Sequence, residues 1–198
     1  MIGIPAPTLT LKAFLELPET KPPSEYIDGQ IIQKPMPQGK HSAIQGELVA
    51  EINRVVRKPQ IARAFPELRC TFGGKSTVPD ITVFVWRRIP RDDNGEISNT
   101  FPLAPDWTIE ILSPDQNQTR VTKNILHCLK YGTQMGWLID PGEQTVFVFQ
   151  PSQEPEVFDD ANAGLLLPKF MGEFSLTVDE LFSWLYQFNL RMHLIQHW

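Results

Sequence analysis

The sequence predicts an α/β (α+β) fold in which helices flank a mixed central β-sheet. Short apolar runs rich in β-branched and aromatic residues predict strands, and apolar residues at helical spacing between them predict helices. Helices placed between strands favour a sandwich around a mixed sheet over an all-β barrel. With 198 residues, the chain is expected to form one domain over 1–198, with its core at about 10–150.

The first part of the chain predicts two helices and a hairpin. A short amphipathic helix opens at Thr10. Residues 25–32 predict a β-hairpin because an Asp-Gly pair stands between two short apolar stretches. A longer helix is expected from His41 to about Arg57, where apolar side chains recur at helical spacing.

The middle of the chain predicts three strands and a helix. Residues 61–72 are mostly strand, and a Gly-Gly turn leads into a second strand that contains Asp80. Residues 87–105 form a long polar connection before a third strand that contains Glu110. A helix over about 119–131 follows this strand.

The last part predicts two strands and a packing helix. Residues 136–140 and 145–149 are expected to be strands joined by a Pro-Gly turn. Thr177 and Glu180 have the spacing of a capping box, so a C-terminal extension should carry a helix over about 176–190.

Composition restricts the function classes. The net charge of −5 argues against a protein that holds nucleic acid by charge alone, although basic patches or a bound cation remain possible. No apolar segment approaches the roughly 18 residues needed to cross a bilayer, and no signal-peptide pattern opens the sequence. Cys70 and Cys128 lack metal-ligand spacing and are interpreted as reduced, buried thiols. We therefore expect a cytoplasmic protein without a membrane partner.

Two acids stand inside apolar runs, Asp80 in 78–86 and Glu110 in 107–114. A carboxylate in a buried strand is costly unless its charge is compensated. A divalent cation compensates two such groups at once, because hard cations prefer oxygen ligands. The alternative is that each acid lies at a strand end and pairs with a nearby Arg or Lys. The leading hypothesis is a metal site shared by Asp80 and Glu110.

A series of segments occurs in a characteristic order: Glu25-Tyr26-Ile27-Asp28-Gly29, His41, 78–84, 109–114, Lys123 and 136–141. In this order the segments resemble the Uma family of restriction endonucleases, a branch of the PD-(D/E)XK nuclease superfamily. The resemblance extends over about residues 10–150 and implies a restriction-endonuclease-like sandwich. It further implies Mg²⁺, which Mn²⁺ can replace, and the hydrolysis of DNA phosphodiester bonds.

The resemblance also implies roles for particular residues. Asp80 and Glu110 would bind the metal, and the carbonyl of Ile111 could supply another ligand. The sequence departs from the simplest motif at Leu112, where that motif has lysine. In the Uma branch a lysine of the following helix takes this catalytic role, and Lys123 stands at the matching place.

Three assignments keep alternatives. Lys123 either lies on the solvated outer face of its helix or reaches over the strand end. Glu25 either completes the metal site as a further catalytic acid or pairs with Lys21 or Lys34. His41 is interpreted as a helix-start residue with a satisfied imidazole rather than a catalytic base.

The function predicted from these features is that of a Mg²⁺-dependent endodeoxyribonuclease acting on DNA. A nuclease-fold module that no longer cuts and serves in binding is the first alternative. A metal-dependent hydrolase of a small phosphate ester is the second. A homodimer is plausible because cutting both DNA strands needs two sites.

Overall fold

The computed structural model describes residues 9–114 and 116–186 of the chain. The helices are α1 Leu11–Leu15, α2 Gly39–Val56, α3 Gln118–Lys130 and α4 Val178–Ser183. The strands are β1 Ser24–Ile27, β2 Gln30–Gln33, β3 Ala62–Pro66, β4 Cys70–Phe72, β5 Lys75–Thr77, β6 Ile81–Val85, β7 Trp107–Ile111, β8 Met135–Asp140, β9 Thr145–Phe149 and β10 Glu156–Phe158.

The strands form two sheets. The larger sheet has the order β10-β9-β8-β7-β6-β3, in which β7 and β8 are parallel and the other neighbours are antiparallel. The smaller sheet has the order β2-β1-β5-β4 and is antiparallel. Helix α3 is the crossover that a parallel pair requires, because it leads from β7 to β8. The predicted class, an α+β fold around a mixed central sheet, is confirmed.

The two faces of the larger sheet pack against different helices. Odd-numbered positions 81 and 83 of β6 and 107, 109 and 111 of β7 belong to the main core, which they share with α2 and with the C-terminal segment around Leu181 and Phe182. Even-numbered positions face the other side, where Leu138 packs with Val121 and Ile125 of α3. Glu110 has even parity and therefore lies on the α3 side of the sheet.

The predicted elements lie close to where the sequence placed them, with one difference that matters for the site. The expected strand over 61–72 is two strands, since Glu67 between them has a φ of 46° and breaks the extended backbone. The Gly-Gly turn leads first into β5 of the smaller sheet. Asp80 therefore lies directly before β6 rather than inside it, and this part of the prediction was wrong.

The C-terminal helix is shorter than expected. The capping box of Thr177 and Glu180 is present, as predicted. Helix α4 nevertheless ends at Ser183, because the N–H groups of Leu185 and Tyr186 bond to carbonyls three positions back, as in a tight turn. Residues 187–190 of the predicted helix lie outside the described residues. The assignment of 1–198 to one domain stays a prediction.

The helices do not have the form of membrane spans. None of those in the described ranges is long and apolar enough to cross a bilayer. Cys70 and Cys128 are buried and form no disulfide, as expected. Burial raises the pKa of the Cys70 thiol to about 12, so this group stays a thiol at neutral pH.

Candidate active site

The pairing of β6 with β7 makes Asp80 and Glu110 neighbours. Ile81 stands opposite Ile109 in this antiparallel pair, and the next position in the same register sets Asp80 opposite Glu110. The backbone N–H of Ile111 donates to Oδ2 of Asp80 at 2.7 Å. Asp80 and Glu110 are almost fully buried, with 2% of each residue exposed. The two acids come together at the carboxyl end of β7, as the sequence predicted.

A third carboxylate comes from the smaller sheet. Glu25 of β1 is 3% exposed. Its Oε1 accepts from the backbone N–H of Val78 at 2.8 Å, and its Oε2 accepts from Nδ2 of Asn124 at 3.3 Å. We call Glu25, Asp80 and Glu110 the acidic cluster. Burial raises the pKa of Glu25, and the charge of nearby Asp80 adds to this effect.

One lysine bridges two members of the acidic cluster. Lys34, the residue after β2, has its Nζ 2.7 Å from Oδ1 of Asp80 and 3.3 Å from Oε2 of Glu110. The same Nζ donates to the carbonyl of Val78 at 2.8 Å. Among residues 9–114 and 116–186, Glu25 forms no ion pair, so the expected alternative of a Glu25 pair with Lys21 or Lys34 is not observed.

The imidazole of His41 fixes the other side of Asp80. Its Nε2 lies 3.1 Å from Oδ2 of Asp80, and Gln45 of the same helix donates to the Asp80 carbonyl at 2.8 Å. The ring is 5% exposed, and its Nδ1 has no hydrogen-bond partner in the described part of the chain. The interpretation of a satisfied imidazole was therefore wrong for one of the two nitrogens. His41 belongs to the site.

The surroundings shift the pKa values of the two metal-ligand candidates, Asp80 and Glu110, in opposite directions. Burial by itself raises the pKa of Asp80, but the charge of Lys34 and the hydrogen bonds from His41 and Ile111 outweigh it and hold the pKa below its usual range. Burial raises the pKa of Glu110 well above its usual range, and Lys34 only partly opposes this. The charges of Asp80 and Glu25 raise it further. Ionised Glu110 is therefore not fully compensated by the groups around it.

The same charges act on the lysine. Burial alone lowers the pKa of Lys34, but the carboxylates of Asp80, Glu110 and Glu25 outweigh burial and raise the pKa above its ordinary value. Lys34 is thus held as an ammonium among the acids.

Lys123 lies elsewhere. Its side chain is exposed on α3, and it makes no hydrogen bond or ion pair within the described ranges. The adjacent Asn124 is buried and reaches Glu25. Because neighbouring helix positions point in different directions, this inward contact leaves Lys123 on the outer side. The structure does not bring Lys123 to the acidic cluster, and its catalytic role stays a prediction.

Two cavities lie at this site, and the smaller one borders Glu25 and Glu110 of the acidic cluster. One has a volume of about 370 Å³ and is lined by Glu25, Lys34 and Glu110, with Arg120 of α3 at its side. The other has a volume of about 650 Å³ and is lined by His41 and by the first turn of α2. Buried acids that border open space can be reached by a ligand, unlike those enclosed in a core.

The donor set fits a hard cation that keeps water ligands. Within 9–114 and 116–186, no group of three or more His, Cys, Asp or Glu side chains is placed to hold a metal ion. Mg²⁺ keeps several waters and usually takes one or two protein carboxylates, so Asp80 and Glu110 meet its needs without a full protein cage. The carbonyl of Ile111 as a further ligand stays a prediction.

Sequence reasoning missed two members of the site. Lys34 was considered only as a partner of Glu25, because 46 and 76 residues separate it from Asp80 and Glu110. Asn124 lies 99 residues from Glu25 and carries no motif of its own. A polar side chain on the apolar side of α3 was the only available signal.

The mixed sheet, the crossover helix and the acids at the strand end define a nuclease fold. A solved structure, titled as "a putative nuclease belonging to DUF820 from Anabaena variabilis ATCC 29413", is similar to this chain, with 70% identity and a TM-score of 0.88. The similarity covers 89% of this chain and 99% of that one. The family described as "Uma2: Putative restriction endonuclease" matches residues 11–179, so the chain belongs to the Uma2 family. No curated protein matches the sequence.

Proposed function

We propose that this protein is a Mg²⁺-dependent endodeoxyribonuclease whose active site is the acidic cluster. The observation that carries the proposal is the convergence of Asp80 and Glu110 on one cationic group, beside an accessible cavity. The chain belongs to a family whose description is that of restriction endonucleases, and this supports a nucleic-acid substrate.

Asp80, Glu110 and the carbonyl of Ile111 would hold the Mg²⁺, which Mn²⁺ can replace. When bound, the ion would lower the pKa of a water molecule and polarise the phosphate. Asp80 is held in a fixed orientation by the N–H of Ile111 and by Nε2 of His41, both at its Oδ2, while its Oδ1 accepts from Nζ of Lys34. Glu110 supplies the second negative charge from the neighbouring strand.

Hydrolysis forms a bond from the water oxygen to phosphorus and breaks one ester P–O bond. The water loses one proton, and the leaving oxygen gains one. Negative charge develops on the phosphate oxygens in the transition state. The chain is therefore expected to supply a cationic donor to the phosphate as well as the metal ligands. Lys34 and Arg120 line the smaller cavity, and Lys40 lines the larger one. These basic side chains support DNA binding despite the overall negative charge of the chain.

The test is a nicking assay on supercoiled plasmid with Mg²⁺. We expect relaxation by the wild-type protein and none by Asp80→Asn or Glu110→Gln, with circular dichroism showing that both variants are folded. Glu154→Gln, at an exposed turn outside the site, is the matched control and should cut normally. Cleavage by purified Asp80→Asn at the wild-type rate contradicts the proposal.

One observation favours a second candidate, a nuclease-fold module that no longer cuts. Lys34 already forms an ion pair with both Asp80 and Glu110, so the two acids have a cationic partner before any metal binds. A calorimetric titration with Mn²⁺ beside the nicking assay separates the two, since an inactive module leaves the plasmid closed whether or not it binds the ion. Turnover of small phosphate esters without DNA would support the remaining alternative.

A further inference from the structure

We propose that Lys34, delivered by the end of β2, is the catalytic lysine of this site, in the role that the family resemblance gives to Lys123. This inference rests on the proposed function. Among residues 9–114 and 116–186, Lys34 is the one lysine or arginine that forms an ion pair with the acidic cluster. The lysine thus comes from a hairpin instead of a helix.

The position of Lys34 is built by its surroundings. Its backbone N–H donates to the carbonyl of Pro23 at 3.0 Å, which extends the pairing of the β1–β2 hairpin to Lys34. Its side chain is 11% exposed, so the stem is packed rather than free in solvent. A lysine held in this way loses little further conformational entropy when it acts on a ligand.

The ammonium has three hydrogens, and three acceptors surround it. These are the carbonyl of Val78, Oδ1 of Asp80 and Oε2 of Glu110, at 2.8, 2.7 and 3.3 Å. A metal ion held by the two carboxylates would compete with Lys34 for their oxygens. Two N–H groups of Lys34 would then be available to another acceptor, while the Val78 carbonyl would still accept from the third. A phosphate oxygen arriving through the cavity that Lys34 lines is the acceptor that fits them.

Position 123 offers none of these features. Its side chain is exposed, and the α3 residues that line the same cavity are Arg120, Val121 and Asn124. The hairpin therefore supplies the cationic donor that Leu112, directly after β7, cannot supply.

The test compares Lys34→Met, Lys123→Met and the exposed control Lys169→Met, which remove the same charge at three places. Single-turnover plasmid cleavage with Mg²⁺ is the first readout, and calorimetric Mn²⁺ binding is the second. We expect Lys34→Met to cut about 10²–10³-fold more slowly, the range seen when one transition-state donor is removed. Its Mn²⁺ affinity should be equal or higher, because the competing ammonium is gone.

Lys34→Arg keeps the charge but changes the donor geometry, and it carries the same test if Lys34→Met does not fold. A folded Lys34 variant that cuts at the wild-type rate overturns the inference. So does a large loss in Lys123→Met with wild-type cleavage by Lys34→Met. A wild-type protein that binds Mn²⁺ but never cuts DNA overturns the proposed function and this inference together, whereas only the inference fails if wild type and Lys34→Met cut equally.

Discussion

The two ends of the β6–β7 pair each carry a buried aspartate that follows a proline, Asp80 at one end and Asp106 at the other, both 2% exposed. Asp106 accepts from Nη1 of Arg88 at 2.6 Å, from the N–H of Val85 at 2.8 Å and from Nε2 of Gln134 at 3.0 Å. One carboxylate at that end has a guanidinium of its own.

The other end is short of positive charge. Three carboxylates lie together there. In the described part of the chain, Lys34 is the lysine that forms ion pairs with Asp80 and Glu110 and interacts with the charge of Glu25. A buried aspartate after a proline is therefore not by itself a sign of catalysis. What distinguishes Asp80 from Asp106 is the balance between carboxylates and cations around it, together with the cavity that borders its neighbours Glu25 and Glu110.

The largest expected loss of stability comes from removing the cation that pairs with Asp106. Arg88→Met leaves Asp106 buried without its guanidinium. Loss of one partner from a buried pair costs about 3–5 kcal/mol, and we expect about 2–3 because the Arg88 side chain is 31% exposed. Urea unfolding measures the change, with Arg54→Met, in a more exposed pair with Glu51, as the control. An unfolding free energy equal to that of the wild type contradicts the structural role of Asp106.

At the charge-deficient end, the two acids should respond in opposite directions. Asp80→Asn should lower the unfolding free energy by about 2 kcal/mol, because the carboxylate is stabilised by Lys34, His41 and Ile111. Glu110→Gln should raise it by about 1 kcal/mol at neutral pH, because burial raises the pKa of Glu110 and disfavours its ionised form. Both values come from urea unfolding, and equal losses in the two variants would remove the distinction.

The pH dependence of stability sharpens the same comparison. Burial raises the pKa of Glu110 above its ordinary 4.5, so the folded state binds more protons than the unfolded state as pH rises past that value. The unfolding free energy should therefore fall between about pH 5 and the raised pKa, and Glu110→Gln should reduce this slope. Asp80 acts oppositely: its lowered pKa gives stability that is lost only as pH falls below its ordinary value. A slope unchanged in Glu110→Gln contradicts this assignment.

The smallest effect is expected at the exposed lysine. Lys123→Met should change the unfolding free energy by less than about 0.5 kcal/mol, because the side chain makes no hydrogen bond or ion pair within 9–114 and 116–186. Urea unfolding gives this value alongside the kinetic test above. A larger loss would mean that Lys123 packs against the site.

Local patterns predicted much of the fold and the central pair of acids. Strand and helix positions follow from periodicity, and the neighbouring positions of Asp80 and Glu110 follow from two consecutive strands that pair. Lys34 could not be found in this way, because its contact with the acids depends on how the smaller sheet packs on the larger one. The surroundings of Asp106 were hidden for the same reason. The number of Lys or Arg side chains that contact each group of acids also could not be predicted, because it depends on the packing of distant segments.

The central claim is that Asp80 and Glu110 share one divalent cation. Calorimetric titration of Mn²⁺ into wild type, Asp80→Asn, Glu110→Gln and Glu154→Gln tests it most directly. We expect one binding event in the wild type and in Glu154→Gln, weakened beyond detection in both cluster variants. Equal Mn²⁺ binding by all four proteins, or no binding by the wild type, would contradict it.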